Sequence, residues 1–572
     1  MLSRLGDHLP LLAPLPRGFA RVALGLLLSA WLLMGPSALI PGNFPGDPAR
    51  PEVAVTVNLH WQVHSRGLSG YIADDLHGYP FRVDRVVHDG VPLDALTSAP
   101  LTALLGVPIG MWSWLLLVIW GLGLGGACLC GRWWGTERAA WIGGLGWQTS
   151  EVALREIGEG RATTAFALLG WPLALLAGLE SARRPAGRWA VVAGLLAGLV
   201  ALASWGLAPP AIFLAVLPGL LFPGRFLRLL TSSAGFGAVV AVPVAWVWSG
   251  SGELPSLSMD PWSPTLLSFT QIRPVDLATV RLYGWDGVLV RTLCRPGVWL
   301  LVVLGLRAQS LRTTRVPAAL ALLGLVVALG PYLPGPVVLP FGLSLELPVW
   351  SRFWWVDRWS ALVTLGAVLL ASGAATRPGP LGARIPAWLG ARLPVGLPAW
   401  TARVPLAPVV ALVFAEAFVF SRALPWPVTP LPPSDAAKVL AERPDVPFVL
   451  LPLGEGRFRP DRLDLIDQIY HGRPMANGTR PASDLRAPDA LLRAWQLNAG
   501  LRGLAACETG EPPEPSPRAS FDLVHAGIRQ VYLDTRYVGS DVPGAYQGCV
   551  LAVLDGWTEE KEQPPFRRFQ AP

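Results

Sequence analysis

Eleven apolar runs separated by shorter polar connections dominate the chain from residue 19 to residue 421. They fall near residues 19–40, 108–130, 138–152, 162–180, 188–205, 207–223, 233–249, 288–306, 316–333, 358–376 and 405–421. Each is about the length of a helix that crosses a bilayer, roughly 20 residues. Gly and Pro recur in and around them, as membrane helices packed on neighbours allow. The pattern predicts a mainly α, polytopic membrane protein of about eleven transmembrane helices. "GLGLGG" from Gly121 reads as a helix-packing stretch inside one of them.

Two regions break the pattern. From Pro41 to Pro100 the chain is polar and holds His60, His64, His77 and His88 with seven carboxylates, among them Asp47, Asp74, Asp75 and Asp94. From about Ala423 the apolar runs shorten and charge density rises, which marks a soluble C-terminal α/β domain. Ser434 can cap a helix, "VPFVLLPL" from Val446 has strand length, and Asp461 to Tyr470 has a helical pattern. "FDLVHAGI" predicts a helix, "RQVYLD" a strand ending at Asp534, and "CVLAVL" from Cys549 a last strand. Helices alternating with short buried strands suggest a small α/β sandwich. The expected division is a transmembrane part at 1–422, with a large first outer loop at 41–107, and an extracytoplasmic part at 423–572.

Composition agrees with a membrane chain: of 572 residues 52% are hydrophobic and only 15% charged, with mean hydropathy +0.44. Lys438 and Lys561 are the only lysines among 46 basic residues. The net charge of +7 is therefore carried by arginines in the connections and speaks to topology, not nucleic-acid binding. Arg132 and Arg138, Arg183 to Arg188, Arg225 and Arg228, Arg307 to Arg315 and Arg377 to Arg403 alternate with poorer connections. By the positive-inside rule the Arg-rich set is cytoplasmic. This puts the N-terminus inside and the 41–107 loop, the 250–287 and 331–357 loops and the C-terminal region outside. Cys507 and Cys549 can then pair in an oxidising compartment.

Candidate chemistry concentrates where charge meets the membrane surface. Asp47 follows Gly46 just beyond the first run, and an acid there can act as general base on an acceptor hydroxyl. Asp74, Asp75 and His77 cluster closely enough to shift a carboxyl upward or hold a divalent cation; the plainer reading is a solvated loop whose acids pair with nearby arginines. His60 and His64 would share a helix face, and packing beside Trp61 explains them better than a metal does. "EVALREIGEGR" places Glu151, Arg155, Glu156, Glu159 and Arg161 at or near the outer surface, either as a substrate cavity or as a mutually neutralising hairpin. Arg352 and Arg358 in "SRFWWVDRWS" suit a lipid-carrier phosphate, or anchor an aromatic belt. Glu416 lies within the last run and can pair with a neighbouring helix. Walker, GxSxG, HExxH and strand-embedded GxGxxG motifs are absent, which excludes the common soluble chemistries.

Several stretches together resemble the GT-C-type membrane glycosyltransferase superfamily, in particular bacterial members with a C-terminal α/β domain. They are "PGD" at Pro45 to Asp47 with the following "NLHWQVH", "PLDALTSAPLTALLGVP" from Pro92 and "EGRATTAFALLGWPLALLAGL" from Glu159. Later come "LPVWSRFWWVDRW" from Leu347, "FVLLPL" from Phe448 and "HGRPMANG" from His471. The resemblance implies sugar transfer from a polyprenyl-phosphate-linked donor to an acceptor at the outer face of the cytoplasmic membrane. It also implies an acidic base in the first outer loop, for which Asp47 is the best positional match and Asp74 and Asp75 are alternatives. The paired Asp-Glu or Asp-x-Asp motif of such enzymes is absent from this loop.

A different class of reading is a non-catalytic membrane scaffold or assembly factor with the same fold, docking a cell-envelope partner through its C-terminal domain. A transporter is disfavoured by the lack of mid-span charges and of inverted repeats.

Overall fold

A computed structural model describes residues 13–40, 42–47, 51–74, 83–84, 93–183, 188–204, 207–221, 230–240, 295–329, 356–374, 376, 406–421, 423–431, 434–441, 446–453, 463–471, 473–476, 497–509, 518–538, 544–560 and 566–572. Among these the first apolar run forms α1 (Phe19–Met34), which stops at Gly35 with φ +66°. The expected outer loop is itself structured. It contains β1 (Asn43–Pro45), α2 (Pro51–Arg66), the one-turn α3 (Leu68–Ile72), the short antiparallel strands β2 (Ala73–Asp74) and β3 (Val83–Asp84), and α4 (Leu93–Leu105). A helical bundle follows: α5 (Val107–Trp134), α6 (Glu137–Gln148), α7 (Glu151–Gly158), α8 (Ala162–Arg183), α9 (Arg188–Ala203), α10 (Ala208–Leu221), α11 (Leu230–Val240), α12 (Pro296–Ala308), α13 (Leu311–Ala328), α14 (Ser360–Gly373) and α15 (Leu406–Phe420).

Local chemistry explains several of these starts. Thr136 caps α6 by accepting from the Ala139 N–H, and Ser310 caps α13 through the Thr313 N–H, each meeting a donor that a helix start leaves open. Gly126 of α5 lies against the Gly143 carbonyl of α6 so closely that a Cβ would collide with it. The glycine-rich stretch therefore lets these two helices pack, as its sequence suggests.

Every apolar run meets a described helix, and two of the helices, Val107–Trp134 and Ala162–Ser181, are long and apolar enough by themselves to cross a bilayer. The bundle is apolar outside as well as in. Leu24, Leu28 and Leu32 form a stripe at spacing four that is 69%, 57% and 44% exposed. Leu300, Val303 and Leu306 on α12 are likewise exposed. A water-soluble surface would not carry such stripes.

Several polar side chains point inward and find partners there. Gln148 donates to Leu26 O at 2.9 Å and meets the Ser29 hydroxyl. Arg295 donates to Thr149 O at 2.9 Å and its hydroxyl at 2.8 Å, and to Val413 O. Glu416 on α15 takes the backbone N–H groups of Gly297 and Val298, so it caps the N-terminus of α12, where the helix dipole favours an anion. The expectation that Glu416 serves a neighbouring helix is met by this cap.

Beyond the last run lie β4 (Val428–Pro430), α16 (Asp435–Ala441), β5 (Phe448–Leu451), α17 (Leu463–His471), α18 (Ala499–Thr509), α19 (Ala519–His525), β6 (Gln530–Asp534), α20 (Gly544–Val553), β7 (Thr558–Glu559) and β8 (Phe566–Gln570). Ser434 caps α16 through the Ala437 N–H at 2.9 Å. The strands order as β5-β6-β8-β7, with β5 parallel to β6 and the other pairs antiparallel. Alternation along the strands sorts their side chains to two faces. Phe448, Leu450, Tyr532 and Phe566 join a core with Leu440 of α16 and Leu465, Ile466 and Ile469 of α17. Val449, Leu451, Val531, Leu533 and Phe569 meet Leu501, Leu504, Leu523 and Val550 on the opposite helices. The first of these cores is continuous with that of the bundle.

One expectation is corrected. "CVLAVL" from Cys549 is the second half of α20, not a strand. Its apolar length fits either element, and packing on α18 decides for the helix. That packing is held by a Cys507–Cys549 disulfide with Cα atoms 5.6 Å apart. Closing a loop over a separation of 42 residues is worth at most about 4 kcal/mol in chain entropy. A full-length Cys507→Ala/Cys549→Ala variant should show a lower thermal midpoint, and non-reducing peptide maps of the parent should join the two cysteines. Free thiols at both positions in protein from an oxidising compartment would contradict the pairing.

Candidate functional site

Asp47 is fixed by elements more than 300 residues apart. β1 pairs antiparallel with β4, Phe44 lying opposite Thr429. Gly46 N–H donates to Pro427 O at 2.9 Å, and the Thr429 hydroxyl donates to Gly46 O at 3.0 Å. Asp47 N–H reaches Gly158 O at 3.3 Å, at the end of α7. Val53 of α2 wedges against both Gly46 and Gly160, where a Cβ on either glycine would strike its side chain. Both glycines also have positive φ, +123° and +77°, which other residues adopt only with strain. Thr56 closes the contact by donating to Gly160 O at 3.1 Å.

The turn after α7 carries the charges. Glu156 is fully buried, and its Oε2 accepts from Arg161 Nε at 2.7 Å and meets an Arg358 NH1 at 2.8 Å. Arg161 also bonds Glu159, whose other oxygen accepts from Arg155 Nε at 2.6 Å. The result is an alternating chain Arg358–Glu156–Arg161–Glu159–Arg155. Three guanidinium groups and two carboxylates thus alternate within one short stretch of the structure. Arg155 and Arg161 remain about a quarter exposed, at 26% and 27% of their side chains, so donors of the fork can reach an incoming anion. Arg358 enters from the turn Val356–Trp359 that starts α14.

Of the residues singled out by sequence, the structure brings Glu159, Arg161 and Arg358 into one cluster and ties the Asp47 backbone to the turn that bears it. Asp74 contributes its backbone to β2; Asp75, His77 and Arg352 lie outside the described residues. His64 packs against Trp61, ring centroids 6.1 Å apart, while His60 turns inward to Asp94, so the shared helix face does not bring the two rings together on one ligand. Among the described residues no three His, Cys, Asp or Glu side chains gather as metal ligands. The central role of Glu156 was not apparent from the run alone; the i,i+4 spacing of Arg155 and Glu159 was the one local signal. The strand pairing that holds Asp47 had none.

Two known structures share this architecture over nearly the whole chain. The arabinofuranosyltransferase AftD from Mycobacteria superposes with a TM-score of 0.55 at 16% identity, over 98% of this chain and 42% of its own. ArnT from Cupriavidus metallidurans, bound to undecaprenyl phosphate, superposes with a TM-score of 0.52 at 13% identity, over 96% of this chain and 98% of its own. The fold is that of the GT-C-type membrane glycosyltransferases. The chain spans about two fifths of the arabinofuranosyltransferase, so the GT-C likeness concerns part of that larger protein. No protein-family model matches the sequence, and no curated protein aligns with it. The GT-C likeness is thus one of fold at low identity.

In this GT-C frame the grip of Val53 on its two glycines holds Asp47 in place. Gly160→Val adds backbone strain of about 1–3 kcal/mol to a direct collision. It should lower the thermal midpoint clearly, while Gly548→Val, a position with open space around it, should not. Equal effects would show that the approach of α2 is not tight.

Proposed function

We propose that the chain is a membrane glycosyltransferase that moves a sugar from a polyprenyl-phosphate-linked donor to an acceptor hydroxyl at the outer membrane face. The observation that carries this reading is the backbone tie of Asp47 to Gly158, in the turn that bears the Glu156–Arg161–Glu159 cluster joined by Arg358. The GT-C fold, and the undecaprenyl phosphate bound by ArnT, support it.

In this reading Asp47 takes the proton of the acceptor hydroxyl, whose oxygen then bonds the anomeric carbon. The bond between that carbon and the phosphate oxygen breaks, and its electron pair leaves with the lipid phosphate. Arg161 and Arg358 stabilise the charge growing there, working from a preset geometry in which Glu156 fixes both. Glu159 tempers Arg161 and holds Arg155. Asp74 is the second choice as base. The mechanism routes no step through a metal ion.

The same reading takes about eleven spans at the apolar runs, an N-terminus inside, and residues 423–572 as an extracytoplasmic α/β unit. This unit stands over the first outer loop through α17, whose Leu465 carbonyl and Gln468 accept from Asn58 of α2 at 2.9 and 3.0 Å. It is well placed to engage the acceptor.

The test uses full-length protein in nanodiscs. Arg161→Ala and Arg358→Ala should weaken undecaprenyl phosphate binding about tenfold or more, the worth of a charge-assisted hydrogen bond. Asp47→Asn should keep that binding and slow transfer from a panel of polyprenyl-phosphate-linked sugars by about 10²- to 10⁴-fold. Full activity in Asp47→Asn with loss in Asp74→Asn moves the base to Asp74. Full activity in both, or unchanged lipid binding in the arginine variants, defeats the enzyme reading and favours the scaffold.

A further inference from the structure

Helix α2 carries a second polar constellation that the proposed chemistry does not use. His60 and Asp94 are 1% and 2% exposed, on α2 and α4. His60 Nδ1 lies 2.8 Å from Thr56 O. A carbonyl oxygen can only accept, so Nδ1 must carry a proton and donate it. The other ring nitrogen, Nε2, faces Asp94 with Oδ2 at 3.9 Å. Neither His60 Nε2 nor Asp94 Oδ1 has a hydrogen-bond partner, and the Tyr71 hydroxyl of α3 is buried without one as well.

With both His60 Nε2 and Asp94 deprotonated, two lone pairs would confront each other around a buried negative charge, the costly case. With both protonated, the pair would carry a buried positive charge. One proton between them gives a neutral pair, whichever of the two atoms holds it, across a 3.9 Å separation that is ion-pair and not hydrogen-bond distance. Burial pushes the Asp94 carboxyl upward, against the opposing pull of His60 and of two backbone N–H groups. Tyr71 is pushed up to about 12, first by burial and then by Asp94, so it stays a neutral hydroxyl and does not compete for the proton.

Among the described residues, the titratable groups on the other elements packed against the pair are engaged elsewhere, His471 of α17 included, whose Nδ1 accepts from the Arg473 N–H at 3.0 Å. On α17 Asp467 is held by Ser434 and Arg536, and Tyr470 packs on Trp61. His64 is exposed. Helix α5 has no titratable side chain before Cys128, and the charges of α8 and α9 stand at the far end of the bundle, where Glu180 pairs with Arg132.

Position gives the pair its consequence. One turn before His60, Val53 and Thr56 grip Gly46 and Gly160 beside Asp47. Flanking His60, Asn58 and Gln62 link α2 to α17, Gln62 donating to Asn58 Oδ1 at 2.7 Å. The pair thus sits midway along the strut that spans the Asp47 segment and the C-terminal sheet layer.

We propose that His60 and Asp94 share a single buried proton that locks α2 to α4, and that this lock positions Asp47. The second half rests on Asp47 being the base; the first does not. The sign follows from proton counts. In water a carboxyl and an imidazole titrate at about 3.9 and 6.5, so an opened pair holds one proton between those values and none above. The locked state holds one. Locking therefore takes up a proton above about pH 6.5, and its stability is lost as pH rises, by up to about tenfold per unit. Below about pH 4 the open state holds two protons, and stability falls again.

Hydrogen exchange of the full chain in nanodiscs between pH 6 and 9, corrected for intrinsic rates, reads the lock in peptides covering residues 43–66. The parent should lose protection there by up to about tenfold per pH unit above 6.5. Asp94→Asn, whose amide can donate to neutral His60 at any pH, should flatten this dependence; Asp94→Leu should be poorly protected throughout. A flat parent profile, or the parent's slope retained in Asp94→Asn, overturns the shared proton. For positioning, Asp94→Leu should lower kcat for transfer at least tenfold while undecaprenyl phosphate affinity stays within about twofold. A kcat that does not move while protection falls refutes that half. A parent without any transfer activity removes the catalytic reading and the positioning half with it, and leaves the exchange result to decide the proton.

Discussion

A fully buried carboxylate, Glu156, sets the terms for this structure. An isolated carboxylate would not stay ionised in such a place, because removal from water costs several kcal/mol unless partners replace the lost hydration. Here two guanidinium groups do so, one from the turn before α8 and one from the turn that opens α14. The sharing obliges two distant pieces of chain, the turn after α7 and the turn that opens α14, to meet at one oxygen. It also presets the two arginines, which is the condition under which fixed charges act on a developing anion without reorganising. The same residue therefore serves both the fold and the proposed chemistry.

Around that centre the first outer segment works as a strut. α2 touches the Asp47 segment with its N-terminal half and the C-terminal helix α17 with its buried polar face. β1 is stitched to β4, so the chain entering the bundle from α1 is tied to the chain leaving it after α15. A change in the C-terminal sheet layer can thus reach Asp47 through packed, hydrogen-bonded elements. The membrane bundle beneath is apolar toward its surroundings and polar inside, where Arg295 and Glu416 join α12, α15 and the turn after α6.

Local signals made much of this legible. Apolar run length found the bundle helices, Ser434 with the residues after it found α16, and the short buried run at Phe448 found β5. The Arg and Glu pattern of "EVALREIGEGR" is readable as either a cavity or a neutralising hairpin, and in the structure its charges pair with one another and with Arg358. What stayed hidden depends on contacts far apart in the chain. No local pattern announces that Phe44 will lie opposite Thr429, or that Arg358 will seek Glu156. Helix α2 was masked by polar composition, since a helix that buries Asn58, His60 and Gln62 does not show an apolar stripe. "CVLAVL" misled for the opposite reason, being apolar enough for a strand and too short for its period to count.

The central claim is that the Glu156 cluster receives a lipid-linked phosphate beside Asp47. A cryo-EM structure of the full chain in nanodiscs with undecaprenyl phosphate tests it most directly. The account predicts the phosphate within hydrogen-bond distance of Arg161 or Arg358, with the Asp47 carboxylate facing the side from which an acceptor would attack. A phosphate bound elsewhere, with Glu156 and its arginines closed to it, would contradict the account.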